Sequence, residues 1–237
     1  MALSKKYGKI YLLPCEMGEQ DSSRLFPAFN AEIAASVTYF IVEQIRSARR
    51  SLKKINPAIV IDNVHFAELN KHAETIDIDT LLQPVLSGHN MAIMSEAGMP
   101  CIADPGAVVV NRAHELGVHV VPLVGPSSIL MALVASGGNG QNFAFHGYVP
   151  MKDERKQFLQ RIEQRAKREG QSQIFMETPY RNAQLFSEIL QLLQPSTKLC
   201  VACNISCEDE YIATKTIAEW RKTIIDIAKK PTMFVVI

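Results

Sequence analysis

Met91-Ala92-Ile93-Met94 is apolar at every position, the pattern of a strand buried on both faces. The character changes at once to Ser95-Glu96-Ala97-Gly98-Met99-Pro100, a loop whose glycine lets backbone approach a ligand closely. Asp104-Pro105 reads as a helix start, with Asp as N-cap and Pro in the first turn. The predicted helix runs through Val108, Val109 and Ala113 and stops at Gly117. Open α/β sheets place ligands at such strand–loop–helix junctions, although the same pattern also serves turns that bind nothing.

The rest of the chain alternates in the same way. Lys9 to Pro14 and Thr38 to Val42 read as strands, His119 to Leu123 as another, and Val64 to Leu69 as a short one. Between them, Ser22 to Ala35 reads as a helix with Phe26, Phe29 and Ile33 on one side. Leu52 and Ile55 give the helix after Arg46 its inner face, and Asp79 caps a short helix through Leu81, Leu82 and Leu86 that Gly88 closes. Five strands alternating with helices predict an α/β fold with a doubly wound parallel sheet. Gly125-Pro126-Ser127-Ser128 opens a helix that ends at Gly137-Gly138, and the boundary of a second domain falls near it, giving domains 1–124 and 125–237.

The second half predicts a mixed sheet. Phe143 to Val149, Ile174 to Glu177, Leu199 to Ile205 and Met233 to Ile237 read as strands, with Tyr211 to Ile217 a further one. Lys152 to Glu169 is a helix with Phe158, Leu159, Ile162 and Ala166 inward, and Arg181 to Leu193 turns Leu185, Phe186, Ile189, Leu190 and Leu193 to one face.

Composition narrows the function classes. The 237 residues are 47% hydrophobic, enough for a sizeable core, and the formal charge of +1 gives no overall field toward nucleic acid or membrane. A local basic patch is still open. The first residues carry no apolar h-region, Ile129 to Ala135 is far too short to span a bilayer, and five cysteines without a secretory signal suit free thiols in a reducing cytoplasm. There is no Gly-x-Gly-x-x-Gly, phosphate loop or Ser/His/Asp order. Cys200, Cys203 and Cys207 have a metal-like spacing, but Cys200 and Cys203 are an odd number apart on a predicted strand and point to opposite faces, so no metal site is expected. His146 reads as a satisfied core or edge residue.

Ser95-Glu96-Ala97-Gly98-Met99-Pro100-Cys101-Ile102-Ala103-Asp104-Pro105-Gly106 closely resembles the Ser-Asp-Ala-Gly-Thr-Pro-x-Ile-Ser-Asp-Pro-Gly signature of the tetrapyrrole methylase superfamily. The resemblance continues at residues 121–128, 145–150 and 175–181, in family order and spacing, and is nearest the bacterial 16S rRNA ribose 2′-O-methyltransferase branch. It implies S-adenosylmethionine as methyl donor, bound in a cleft between the two domains. The donor-lining residues it implies are Pro14, Met17, Gly18, Ser95, Gly98, Met99, Ile102, Gly125, Ser127, Ser128 and Met176. It also implies a homodimer acting on 16S rRNA or the small ribosomal subunit, with no membrane.

Two chemistries need residues of their own. A hydroxyl acceptor must lose a proton, which a carboxylate can take. Glu43, Glu96 and Glu177 each follow a predicted strand in a family-like motif, and each also suits a capping or ion-pair role. RNA needs cations, and Arg46, Arg49, Arg50 and Lys53 share one helical face, which serves either as a solvated surface or as a phosphate-binding stripe.

The chain departs from the rRNA branch in three places. The first loop keeps only Pro14 and Gly18 of Pro-Thr-Pro-x-Gly-Asn-Leu. Glu43 and Arg46 match Ala-Glu-Asp-Thr-Arg without its Asp. Ala202-Cys203-Asn204-Ile205-Ser206 replaces Arg-Glu-Leu-Thr-Lys. Two other readings therefore stay open: a methyltransferase for a tetrapyrrole or another small molecule, and a donor-binding protein with weak catalysis.

Overall fold

The computed structural model describes residues 7–18, 25–69, 77–151 and 153–237. The chain forms two compact units, Met1–Pro126 and Ser127–Ile237. Among its described residues the first holds five strands, β1 (Lys9–Leu12), β2 (Tyr39–Val42), β3 (His65–Glu68), β4 (Met91–Met94) and β5 (His119–Pro122). They form one sheet in the order β3-β2-β4-β1-β5, and every pairing is parallel. β4 is buried at all four positions, as its uninterrupted apolar run requires.

Helices cover both faces. On one, α1 (Ala28–Ser36) and α2 (Ile45–Ile55) contribute Ala34, Ala48, Leu52 and Ile55 to a core with Phe40, Val42, Ala92 and Met94. On the other, α3 (Ile78–Leu81), α4 (Gln83–Leu86) and α5 (Ala107–Glu115) meet Ile10, Ile41, Met91 and Ile93 through Leu82, Val85, Val109 and Ala113. Alternate strand residues supply the two cores, the period-2 rule at work.

Three expectations about helices change. Residues 22–24 lie outside the described residues, and α1 begins only at Ala28, after Pro27. Its fully buried residues are Asn30 and Ala34; Phe26 and Ile33 pack partly buried against the same core, while Phe29 stays 53% exposed. Asn30 is buried because its Nδ2 donates to the Val124 carbonyl at 2.8 Å, a polar anchor that apolar periodicity cannot signal. The cap of α3 is Asp77, whose carboxylate accepts from Asp79 N at 3.0 Å. Asp79 itself pairs with Arg112, its Oδ1 2.6 Å from Arg112 Nε. Pro84 then opens a separate helix α4, since its ring suits a first turn but not a helix interior.

Beyond their strands, β1 and β4 stay joined. Leu13 N donates to Ile93 O at 2.9 Å, and Cys15 and Gly98 exchange two backbone hydrogen bonds of 2.9 and 3.1 Å. The Cys15 thiol, fully buried, donates to the Ser95 carbonyl at 3.0 Å. Burial, with Glu16 nearby, pushes this thiol up to about 12.

The second unit contains α6 (Ser128–Ser136), β6 (Phe143–Tyr148), α7 (Asp153–Glu169), β7 (Ser172–Met176), α8 (Asn182–Leu192), β8 (Lys198–Cys203), β9 (Tyr211–Thr216), α9 (Ile217–Trp220) and β10 (Thr232–Val236). Its sheet runs β6-β7-β10-β8-β9, with β6 and β7 parallel and the other pairs antiparallel. Phe158, Leu159, Ile162 and Ala166 of α7 and Leu185, Phe186 and Ile189 of α8 enter one core with Phe175, Val201 and Phe234. Cys203 faces that core, whereas the Cys200 thiol bonds to Thr214. His146 bonds to Gln173 Oε1 at 2.8 Å and meets Phe158 edge-on.

A buried polar network fastens the ends of β6 and β7. Arg155 donates from Nε to Pro150 O at 3.0 Å, from Nη1 to Glu188 at 3.2 Å and from Nη2 to Glu177 at 2.9 Å. The Glu177 side chain is fully buried, and its other oxygen accepts from Arg181 Nη2 and Thr178 N, both at 2.7 Å.

Two outcomes follow from these features. Arg155→Met leaves Glu177 with one guanidinium instead of two and frees the Pro150 and Glu188 acceptors, so urea unfolding will show a loss of about 3 kcal/mol. The Cys15 proton is held in the folded state to about 12, while an unfolded thiol releases it at ~8.5. The resulting stability is whole below the unfolded value and declines as pH rises through that window. Urea midpoints measured across it will fall less steeply for Cys15→Ala than for the parent protein.

Candidate functional site

The order of the parallel sheet creates the site. From β1 the chain crosses by α1 to β2, and from β4 it crosses by α5 to β5, on the opposite face of the sheet. Neighbouring strands β1 and β4 thus send their helices to opposite sides, which opens a crevice at their carboxyl ends. Three loops line this edge: 13–18 after β1, 95–106 after β4 and 123–126 after β5.

The loops meet backbone to backbone. A Cβ on Gly125 would lie 2.3 Å from Pro14 Cβ, so only glycine permits that approach. Gly98 has φ +69°, with Met17 Sδ and the Pro126 carbonyl 3.9 and 3.4 Å from where a Cβ would be. Met17, Gly18 and Met99 are half-buried, Ile102 is 45% exposed, and the Ser95 hydroxyl donates to Ala97 O at 3.2 Å.

Asp104 differs from the expected N-cap. Helix α5 starts at Ala107 with Gly106 as its cap residue and no side-chain cap. The Asp104 carboxylate instead accepts from Cys101 N at 2.6 Å and from Gly106 N at 2.7 Å. It thereby clamps a stretch in which Cys101 and Ala103 both adopt left-handed φ, +68° and +62°. Such strain in non-glycine residues persists only where the surroundings enforce it, and it gathers at ligand sites.

The three candidate carboxylates separate. Glu43 follows β2 and, with Asp104, Val42 and Met94, borders a small cavity of ≈ 10 Å³. Glu96 follows β4, is exposed, and accepts weakly from Ser47 Oγ at 3.4 Å. These two stand on the same edge of the first unit. Glu177 belongs to the second unit, and both its oxygens are engaged by arginines, which makes it an ion-pair centre rather than a free base.

Sequence patterns gave no sign of Glu16. Its side chain is 11% exposed, Oε1 lies 3.1 Å from Lys54 Nζ, and Oε2 is buried without a hydrogen-bond partner among the described residues. The pairing joins the first loop to α2 across a long stretch of chain, so no local spacing signals it. An orphaned carboxylate oxygen beside the crevice is an acceptor waiting for a donor.

Helix α2 presents Arg46, Arg49, Arg50 and Lys53 on its exposed side, opposite Ala48, Leu52 and Ile55. Arg49 lies over the Phe66 ring at 5.6 Å and Lys53 donates to Pro57 O, which leaves Arg46 and Arg50 to solvent. The remaining expected donor contacts belong to the second unit. There Ser127 caps α6 by accepting from Leu130 N at 3.4 Å, Ser128 is the first residue of α6, and Met176 ends β7.

Comparison with known proteins gives a consistent answer. Ribosomal RNA small subunit methyltransferase I of Vibrio cholerae serotype O1 (strain ATCC 39315 / El Tor Inaba N16961) is 33% identical over 189 residues, 79% of this chain and 62% of the relative. The protein of that name from Buchnera aphidicola subsp. Schizaphis graminum (strain Sg) is 26% identical over 250 residues, 98% of this chain and 79% of the relative. Among solved structures, the crystal structure of the methyltransferase CobJ superposes with a TM-score of 0.63 at 15% identity, covering 97% of this chain and 93% of that one, a likeness of fold. The family model for Tetrapyrrole (Corrin/Porphyrin) Methylases matches residues 31–220, and the chain belongs to that family.

Proposed function

We propose that this protein is an S-adenosylmethionine-dependent methyltransferase that modifies a ribose 2′-hydroxyl of 16S rRNA in the small ribosomal subunit. The observation that carries this reading is its 26–33% identity to proteins named for small-subunit rRNA methylation. The site is compatible with it. Bound S-adenosylmethionine supplies an electrophilic methyl group on a sulfonium. The loops at Gly98 and Gly125 give the ligand access to backbone, Met17, Met99 and Ile102 offer apolar surface to an adenine ring, and Glu16 Oε2 can accept from a ribose hydroxyl or an ammonium. The clamp at Asp104 fixes this edge before the ligand arrives, so little ordering is left for the reactive complex.

Methyl transfer would form the oxygen–carbon bond as the methyl carbon–sulfonium bond breaks, leaving a neutral thioether, and the acceptor hydroxyl would give up its proton. Glu96, exposed and held among the described residues by one weak Ser47 contact, is the residue able to take it, and Glu43 is the second choice. Arg46 and Arg50, with Arg49 and Lys53 alongside, supply a phosphate-binding face on α2. A ribosomal substrate places the protein in the cytoplasm, and a homodimer is the assembly expected of the family. Among the described residues no helix is long and apolar enough to cross a membrane.

The decisive experiment incubates the protein with methyl-labelled S-adenosylmethionine and small ribosomal subunits from a strain lacking it. Label on 16S rRNA is expected, with an Arg46→Ala/Arg50→Ala variant needing several-fold more subunit for the same rate. Measurable donor binding without label on rRNA would overturn the ribosomal reading. Glu96→Gln is expected to lower turnover about 100-fold, the ordinary contribution of a general base, with donor affinity by calorimetry unchanged. Equal turnover in Glu96→Gln and the parent, with Glu43→Gln slow, would move the role to Glu43.

A further inference from the structure

The second unit contains a half-open groove of ≈ 410 Å³ between α7, α8 and the turn at Pro179–Arg181. Its walls include Arg155, Lys156, Arg181, Glu188 and Gln191, with Met151 at one end. The hydrogen bonding of this groove is one-sided. Glu177 beneath it accepts from Arg155, Arg181 and Thr178 N, and Glu188 accepts from Arg155 and, at 2.8 Å, from Gln184. Arg155 has all three guanidinium nitrogens engaged.

Free capacity remains on the cationic side. Arg181 gives Nη2 to Glu177, but among the described residues Nη1 faces the Met151 thioether at 3.8 Å, a weak acceptor. Lys156 is exposed and forms no ion pair with any described side chain. Among the described side chains, three cations stand against two carboxylates, and those carboxylates already have their partners. The described lining therefore has cationic capacity left over for an anion. Next to it, Tyr180 is 82% exposed, a large aromatic face with no packing partner among the described ring contacts.

We propose that this groove binds the phosphodiester backbone of a single-stranded RNA segment, with Arg181 Nη1 and Lys156 holding phosphate and Tyr180 stacking on a base. The proposal rests on the ribosomal reading above and extends it to a second contact surface, independent of the α2 face. An open groove suits a chain passing through it, and a cation pair beside a free aromatic ring is the combination that binds single strands without reading sequence.

The test titrates fluorescently labelled small ribosomal subunits, from a strain lacking the protein, with the full chain at increasing salt. Tyr180→Ala and Lys156→Ala both alter exposed side chains, and thermal melting checks that each remains folded. Tyr180→Ala is expected to raise Kd about tenfold, within the range of one lost stacking contact. Lys156→Ala should flatten the slope of log Kd against log salt by about 0.7, one single-strand phosphate, and Lys156→Arg should restore it. Parental binding with both variants unchanged in Kd and slope overturns the groove and leaves the ribosomal reading in place. A parent protein that binds no subunits at any salt overturns both.

Discussion

The parallel pairing of β1 with β4 is the constraint on which the first unit depends. Each strand is flanked by partners on both sides, and each launches its helix over a different face of the sheet. Divergent helices would ordinarily pull the following loops apart. Here the Cys15–Gly98 bridge carries the pairing past the strand ends and keeps two loops in register while their helices separate. Asp104 then stiffens one of those loops from within. The result is a backbone-lined edge fixed mainly by main-chain geometry.

Most of the scaffold was legible in the sequence because it follows periodicity. The unbroken apolar run at Met91–Met94 announced a central strand, and the inward residues of α7 and α8 followed from their spacing. What escaped was polar and long-range. Asn30 is buried for a hydrogen bond to a residue 94 positions away, and Glu16 meets Lys54 across β2. Neither contact leaves a trace in local pattern. The Asp104 motif was found in the right place with the wrong task, since an Asp before a Pro is equally the start of a helix and the centre of a tight turn.

The carboxylates teach a related lesson. Glu43, Glu96 and Glu177 look alike in sequence, each placed after a strand. The structure distinguishes them by company: a cavity shared with Asp104, a single weak hydroxyl contact, and two arginines. Position on a strand end decides where a side chain begins, but its neighbours decide whether it can accept a proton.

The Arg155–Glu177–Arg181–Glu188 network has a consequence for inheritance. Each oxygen of Glu177 answers a different segment, and Arg155 joins three of them. Replacing Arg155 or Arg181 alone leaves the buried Glu177 with one guanidinium, and replacing Glu177 leaves the buried Arg155 with Glu188 as its one carboxylate, whereas replacing the set together removes the buried charges at once. These positions are therefore epistatic. Descendants of this chain are expected to keep all four or to exchange them as a block, and intermediates along a one-residue path are the least fit of the series.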